Sequence, residues 1–282
     1  MKKFTKLFVA MMLVVVSIIG VVALAGCANK IDNPVALKLE GAVDEMYAFC
    51  VKKDNSDMLN KLNTFFAKES TETLIKSSLN YHNDVTDKKA IDPSVLSDNT
   101  GKTITMVTEA GFAPYEYSSN GDDSVNGVAG LDVDLMIAFC EDNNYKLVVK
   151  DVEFNSIPLE VNKSNDNVGA AGMTITEDRK EKVDFATPYV NTVQYVISDK
   201  AKSYSTLESL KGLKVGVQTG TTGDLMIQEA QKDGVLVDAN TELKGYDKII
   251  NAFNDLINGR IDAIVLDKYV AQGLVDNFNN NK

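Results

Sequence analysis

The stretch GAAGMTITEDRKEKVDFATPY, Gly169 to Tyr189, holds the densest chemistry in the chain. Its start, with Val168, reads as a short apolar strand running to Met173. Gly172 near the end of that strand would let the backbone come close to a ligand. Thr174 and Thr176 offer hydroxyls, and Arg179 follows on the next turn. Arg179 and Arg260 are the two arginines among 29 basic residues. A guanidinium grips a carboxylate with two parallel hydrogen bonds, which an ammonium cannot do. Arginine at this position therefore points to an anion, against the plainer reading of a solvated side chain paired with Glu177 or Asp178.

On either side of this stretch, strands and helices alternate. Thr103–Thr108 is β-branched and reads as a strand. Gly130-Leu131-Asp132 opens a helix, with Asp132 as its cap and Val133, Met136, Ile137 and Cys140 as its apolar stripe. Strands are expected at Lys146–Val152, Thr192–Ser198, Lys214–Gln218, Leu236–Ala239 and Ile261–Leu266. Helices are expected at Thr206–Leu210, within Gly220–Asp233, and at Tyr246–Asn258, which ends before Gly259. This order implies α/β lobes with mainly parallel sheets covered by helices. Ligands of such sheets sit at the carboxyl ends of strands.

Three more strand ends are informative. VGVQTGTTGDL, Val215 to Leu225, places glycines and threonines between a strand and a helix start, whose free N–H groups suit an anion. It lacks the Gly-Lys-Ser/Thr of a nucleotide loop, and Asp224 opposes phosphate. DAIVLDKY, Asp262 to Tyr269, ends a buried strand on Asp267, which would accept an ammonium group or cap the next helix. TEAGFAPYEY, Thr108 to Tyr117, sets Phe112 and Tyr115 around Pro114, where either ring would wall a pocket or simply pack. An anion clamp, a cation acceptor and aromatic walls together suit a zwitterion.

These segments, in this order from residue 103 to about 275, resemble the family 3 extracellular solute-binding proteins, receptors of polar amino-acid ABC importers. The resemblance runs through GLDVDL, AGMTIT with Arg179, VDFATPY, GVQTGTTG and DAIVLD. It implies a two-lobed α/β fold of the type II periplasmic-binding-protein kind, with two crossing strands at the hinge and the ligand between the lobes. At matched positions Arg179 would hold the α-carboxylate. Thr174 and the Gly172 backbone would touch the ligand from the first lobe. Thr222 would add to the carboxylate site from the second lobe, and Asp267 would take the α-ammonium. Phe112 and Phe154 would sandwich the side chain. Glu109, Gln218 and Tyr115 complete the expected site, the first two where side-chain specificity is often set. The resemblance implies no cofactor and no metal, and a monomer that delivers an L-amino acid to a membrane permease. Two other readings share the scaffold: a sensor without transport, and a cyclohexadienyl-dehydratase-like enzyme with an acid such as Glu109.

In the family, the Asp-Ala-x-x-x-Asp strand is followed by a short strand, a crossing strand and a long helix. Their counterparts here stand in front: Ala36–Glu40, then Tyr47–Lys53, then Ser56–Tyr81. By pattern alone the strand reads as Met46–Val51 and the helix as Asp57 to His82, with Ser56 as its cap. The fold is therefore expected to be circularly permuted. The expected division is a signal at 1–26, a tether at 27–34, the permuted segment at 35–82 and a linker at 83–102. The first lobe follows at 103–192 and the second at 193–282. A tandem-gene remnant is the rival explanation of the front segment.

The first residues have a different character. Lys2, Lys3 and Lys6 precede the apolar run Leu7–Leu24, and Leu24-Ala25-Gly26-Cys27 closes it. This resembles a bacterial lipoprotein signal, with lipid on Cys27 and the protein held on the outer face of the cell membrane. Losing residues 1–26 removes three lysines and no acids, so the net charge goes from -11 to -14. Such a charge argues against nucleic acid as a partner. Cys50 and Cys140 sit in apolar surroundings and read as small buried hydrophobes, though an exported protein would also permit their disulfide.

Overall fold

The computed structural model describes residues 30–83 and 89–281. The expected signal and the lipid site at Cys27 lie outside them. Among the described residues no helix is long and apolar enough to cross a membrane.

Two five-stranded sheets form the cores of two lobes. The first lobe has the strand order β10-β3-β9-β4-β8. Its strands are β3 (Cys50–Lys52), β4 (Thr103–Thr108), β8 (Lys146–Asp151), β9 (Asn167–Gly169) and β10 (Val183–Phe185). The second lobe has the order β1-β12-β15-β13-β14. Its strands are β1 (Pro34–Lys38), β12 (Gln194–Asp199), β13 (Lys214–Gln218), β14 (Glu242–Tyr246) and β15 (Ala263–Asp267). Between the lobes, β2 (Glu45–Tyr47) pairs antiparallel with β11 (Val190–Thr192), matching Tyr47 with Val190 and Glu45 with Thr192. These are the two crossing strands. A small sheet of β5 (Gly111–Phe112), β6 (Glu116–Ser118) and β7 (Val128–Ala129) edges the first lobe.

The front segment is woven into both lobes. β1 pairs along the whole length of Pro34–Lys38 with β12. β3 lies inside the first-lobe sheet, between β10 and β9, with Cys50 and Val51 fully buried. Helices α1 (Ser56–Phe66) and α2 (Glu69–His82) then cover that lobe. Met58, Leu62 and Phe65 recur at helical spacing and are the buried face of α1. Ser78 of α2 donates to Asp134 (2.8 Å) on α3 (Leu131–Asp142), and His82 contacts the same carboxylate at 3.1 Å. The far part of the expected linker is not loose. Asn99 donates to the carbonyls of Cys140 and Tyr145, and Gly101 donates to that of Asn144.

Several expectations need correction. The sheets are mixed, not mainly parallel, because β12 and β3 each run antiparallel to both neighbours. Leu236–Ala239 is not a strand: Asp238 and Asn240 take left-handed backbone angles that break extension. The strand is β14, paired in register with β13, so the following helix α7 (Ile249–Ile257) begins only after it. The strand at 168–173 stops at Gly169, and the chain turns at Gly172 with φ +49. Asn55, not Ser56, caps α1 through its side chain. Asp132 does not cap α3. That helix starts after Gly130 (φ 134), where a Cβ would collide with the Tyr115 carbonyl. Cys50 and Cys140 are both free and buried, and burial pushes both thiols up to about 12.

Candidate functional site

One small enclosed cavity lies where strand ends of the two lobes meet. The first lobe contributes Phe112, Phe154, Gly172, Thr174 and Arg179 to its lining. The second contributes Gln218, Thr221, Thr222 and Asp267. Eight of the ten expected site residues therefore line a single cavity.

Arg179 belongs to the one-turn helix α5 (Glu177–Lys180), which follows α4 (Ile157–Val161) and is started by Thr176, whose Oγ1 accepts from the Arg179 amide. The guanidinium is only 9% exposed. Nη1 donates to the Thr174 carbonyl at 2.6 Å, and Nη2 donates across the lobes to the Gly220 carbonyl at 3.0 Å. Its carbon stands 5.2 Å from the centre of the Phe154 ring, a cation–π contact. Burial pulls its pKa below the ordinary arginine value, while Glu45 and Asp267 oppose that pull. Among the described residues, no ion pair to a carboxylate is formed by Arg179; Glu177 pairs with Lys180 instead. The solvated reading of Arg179 is thus excluded.

Asp267 ends β15 and precedes helix α8 (Lys268–Asn280), but its side chain makes no capping bond. It is 4% exposed, and its Oδ1 has no hydrogen-bond partner among the described residues. Burial, then the Glu45 charge, raises its pKa to about 7, against the pull of Tyr47, Gln194 and Arg179. A ligand ammonium would lower it again.

Helix α6 (Thr222–Asp233) starts at the cavity, capped by Thr221, whose Oγ1 donates to the Gln218 carbonyl at 2.8 Å. Asp224 does not face a ligand: its Oδ2 accepts from the Gly220 amide at 2.8 Å and shapes the loop. The Gly172 amide donates to Asp132 Oδ2 at 3.0 Å, and the Tyr189 hydroxyl donates to Oδ1 at 2.6 Å. Asp132 thereby holds the turn that forms one wall.

Tyr115 and Glu109 stand one layer back. Tyr115 is fully buried behind Phe112, with ring centres 6.0 Å apart, and meets Tyr47 edge-on at 5.1 Å. Glu109, 1% exposed, accepts at Oε2 from Gln218 Nε2 (2.8 Å). Burial raises its pKa, with Gln218 and Lys248 opposing.

Glu45 is the residue that sequence reasoning missed. It lies on crossing strand β2 and is 7% exposed. Its Oε2 accepts from Thr174 and from Thr222, each at 2.7 Å, and its Oε1 accepts from Gln194 Nε2 at 3.0 Å. The expected strand began at Met46, one residue late. Alternation from Tyr47 back across Met46 places Glu45 on the buried face.

A family model for bacterial extracellular solute-binding proteins, family 3, matches residues 104–272. A probable histidine-binding protein of Neisseria gonorrhoeae is 33% identical over 187 residues, 66% of each chain. A putative ABC transporter arginine-binding protein 2 of Escherichia coli is 34% identical over 64% of this chain and 70% of its own. The chain thus spans just under two thirds of the Neisseria protein. An ancestral arginine-binding protein bound to arginine superposes with TM-score 0.57 at 36% identity, covering 63% of this chain and 75% of that one. A related ancestral protein bound to glutamine gives 0.55 at 33% identity, over 64% and 76%. With the two-lobed fold and the matched segment, the chain belongs to the family 3 bacterial extracellular solute-binding proteins.

Proposed function

We propose that the protein is an extracellular receptor that captures an L-amino acid between its lobes and delivers it to the permease of an ABC importer. One observation carries this reading. Arg179 and Asp267 are buried, face one cavity, and lack ion-pair partners among the described residues. An unpaired buried charge is costly, and a zwitterion would relieve both at once. The ligand carboxylate would meet Arg179 and the helix start at Thr222, and its ammonium would meet Asp267. Closure brings Thr222 and Asp267 of the second lobe onto a ligand already held by the first. The named relatives are amino-acid-binding proteins, which supports binding over catalysis. Glu109, the candidate acid, sits behind Gln218 and does not line the cavity.

Cys27 would carry the lipid that holds the monomeric receptor at the outer face of the membrane. The chain enters the described fold through the second lobe, at β1, so the tether would attach there. The front segment is read as a circular permutation. Support comes from β1, β2 and β3, which fill one place in each sheet and one crossing position, while the family match covers only 104–272.

The test is thermal unfolding of the purified protein against a panel of L-amino acids. A ligand at 100 times its dissociation constant adds about 2.7 kcal/mol of stability. Absence of a shift with every member of the panel would overturn the receptor reading.

A further inference from the structure

Charge is balanced in the cavity before any ligand side chain is considered. Arg179 and Asp267 are the charged residues of the lining, and an amino-acid headgroup uses both. Glu45, close by, is engaged on both oxygens by Thr174, Thr222 and Gln194. No lining charge is left for a charged side chain.

The remaining polar wall is Thr221, whose hydroxyl proton goes to the Gln218 carbonyl, and Gln218, whose amide has one orientation. Nε2 donates to Glu109 Oε2 at 2.8 Å and to the Asp247 carbonyl at 3.0 Å. Both of its protons are thereby engaged. Oε1 is buried and has no partner among the described residues. Gln218 therefore presents an acceptor and no donor.

Behind it, the Glu109 carboxylate is answered from the second lobe. Lys248 Nζ stands 3.5 Å from Glu109 Oε1 and 3.3 Å from Asp151 Oδ2. Lys248 is 40% exposed and shared with Asp151, to which it donates, whereas Glu109 Oε1 is buried with no hydrogen-bond partner among the described residues, so the Lys248 charge is the one cation facing it there.

We propose that the site selects L-amino acids whose side chain is uncharged and donates a hydrogen bond, with Gln218 as the acceptor and Lys248 as the residue that neutralises Glu109. A carboxamide or hydroxyl side chain fits this class. A carboxylate side chain would face the lone pairs of Gln218, and a guanidinium would approach an acid already matched by Lys248. This selection rests on the amino-acid receptor reading.

The test is calorimetric titration of the protein with glutamine, arginine, glutamate and norleucine, repeated on Lys248→Met. Glutamine should bind at least about tenfold tighter than the other three: glutamate and norleucine bring no side-chain donor to Gln218 Oε1, and arginine brings a charge whose partner Glu109 is already faced by Lys248. Lys248→Met should raise arginine affinity relative to glutamine by about tenfold, since it uncovers the Glu109 charge. Arginine binding tighter than glutamine in the unmodified protein would overturn the proposed selection while leaving the receptor reading intact. An unchanged ratio in Lys248→Met would overturn the role of Lys248. Failure of every amino acid to bind would remove the receptor reading and this inference together.

Discussion

Glu45 Oε2 lies 2.7 Å from Thr222 Oγ1 and 2.7 Å from Thr174 Oγ1, so one carboxylate oxygen on a crossing strand joins a hydroxyl from each lobe. A threonine hydroxyl has one proton. With those protons on Glu45, both hydroxyls offer only lone pairs to a ligand. On the proposed receptor reading, Thr174 would then suit the ligand ammonium, and the carboxylate would fall to Arg179 and the backbone N–H groups at the start of α6.

The first prediction follows from that bridge. Glu45→Ala removes the charge-assisted bonds from Thr174 of the first lobe and Thr222 of the second, each worth about 1.5–3 kcal/mol before water replaces part of it. Ligand affinity should fall by roughly tenfold to a hundredfold, with the fold retained by circular dichroism. Unchanged affinity by calorimetry would show that the bridge does not hold the closed state.

Arg179→Met should separate binding from stability. Among the described residues the buried guanidinium has no carboxylate partner, an arrangement usually maintained for function. Its removal should cost about 3–5 kcal/mol of ligand binding. The unliganded melting temperature should stay level or rise, because a desolvated charge is lost. A large fall in that melting temperature would mean that the bonds to the Thr174 and Gly220 carbonyls matter more than the desolvation.

Most of the cavity was legible because its residues follow strands. Arg179, Asp267, Gln218 and Thr222 stand at or just after apolar runs whose ends are visible in the sequence. Glu45 was not, since Asp44-Glu45 looks like a solvated acidic pair and only the pairing of β2 with β11 buries it. Tyr115 was misplaced by one layer. Aromatic composition marks a wall but not which ring of Phe112 and Tyr115 faces inward; the cavity lining, which includes Phe112 and not Tyr115, settles that. The mixed sheets were hidden for a related reason. Strand direction depends on which strands become neighbours, and β3 reaches its place from far away in sequence.

Binding should depend on pH through Asp267. Burial, with the Glu45 charge, raises its pKa from 3.8 to about 7. A raised acid holds its proton in the fold at pH values where the unfolded chain has released it. Its contribution to stability is therefore greatest at low pH and is lost as pH rises from the ordinary carboxylate range through 7. Ligand binding has the opposite sign, because the ammonium needs the carboxylate ionised. Affinity should weaken by roughly tenfold for each pH unit below that point and level off above it. Titrations between acid and neutral pH would check this, and a flat profile would mean that Asp267 is ionised throughout or does not touch the ammonium.

The last prediction concerns chain order. β1 and β3 each occupy a place in a sheet, β2 forms half of the hinge, and α1 and α2 cover the first lobe. If the front segment is a permutation, position in space matters and position in sequence does not. Moving residues 34–82 to follow residue 282 through a flexible linker should give a folded protein with the ligand affinity of the original. Deleting the same residues should abolish cooperative unfolding, because the first-lobe sheet would lose an interior strand with two fully buried residues, Cys50 and Val51. A deleted protein that still melts cooperatively and binds the same ligand would show that the front segment is an attachment. A reordered protein that fails to fold while the original folds would show that chain order itself is needed. Success of the reordered chain together with failure of the deleted one is the outcome that only permutation explains.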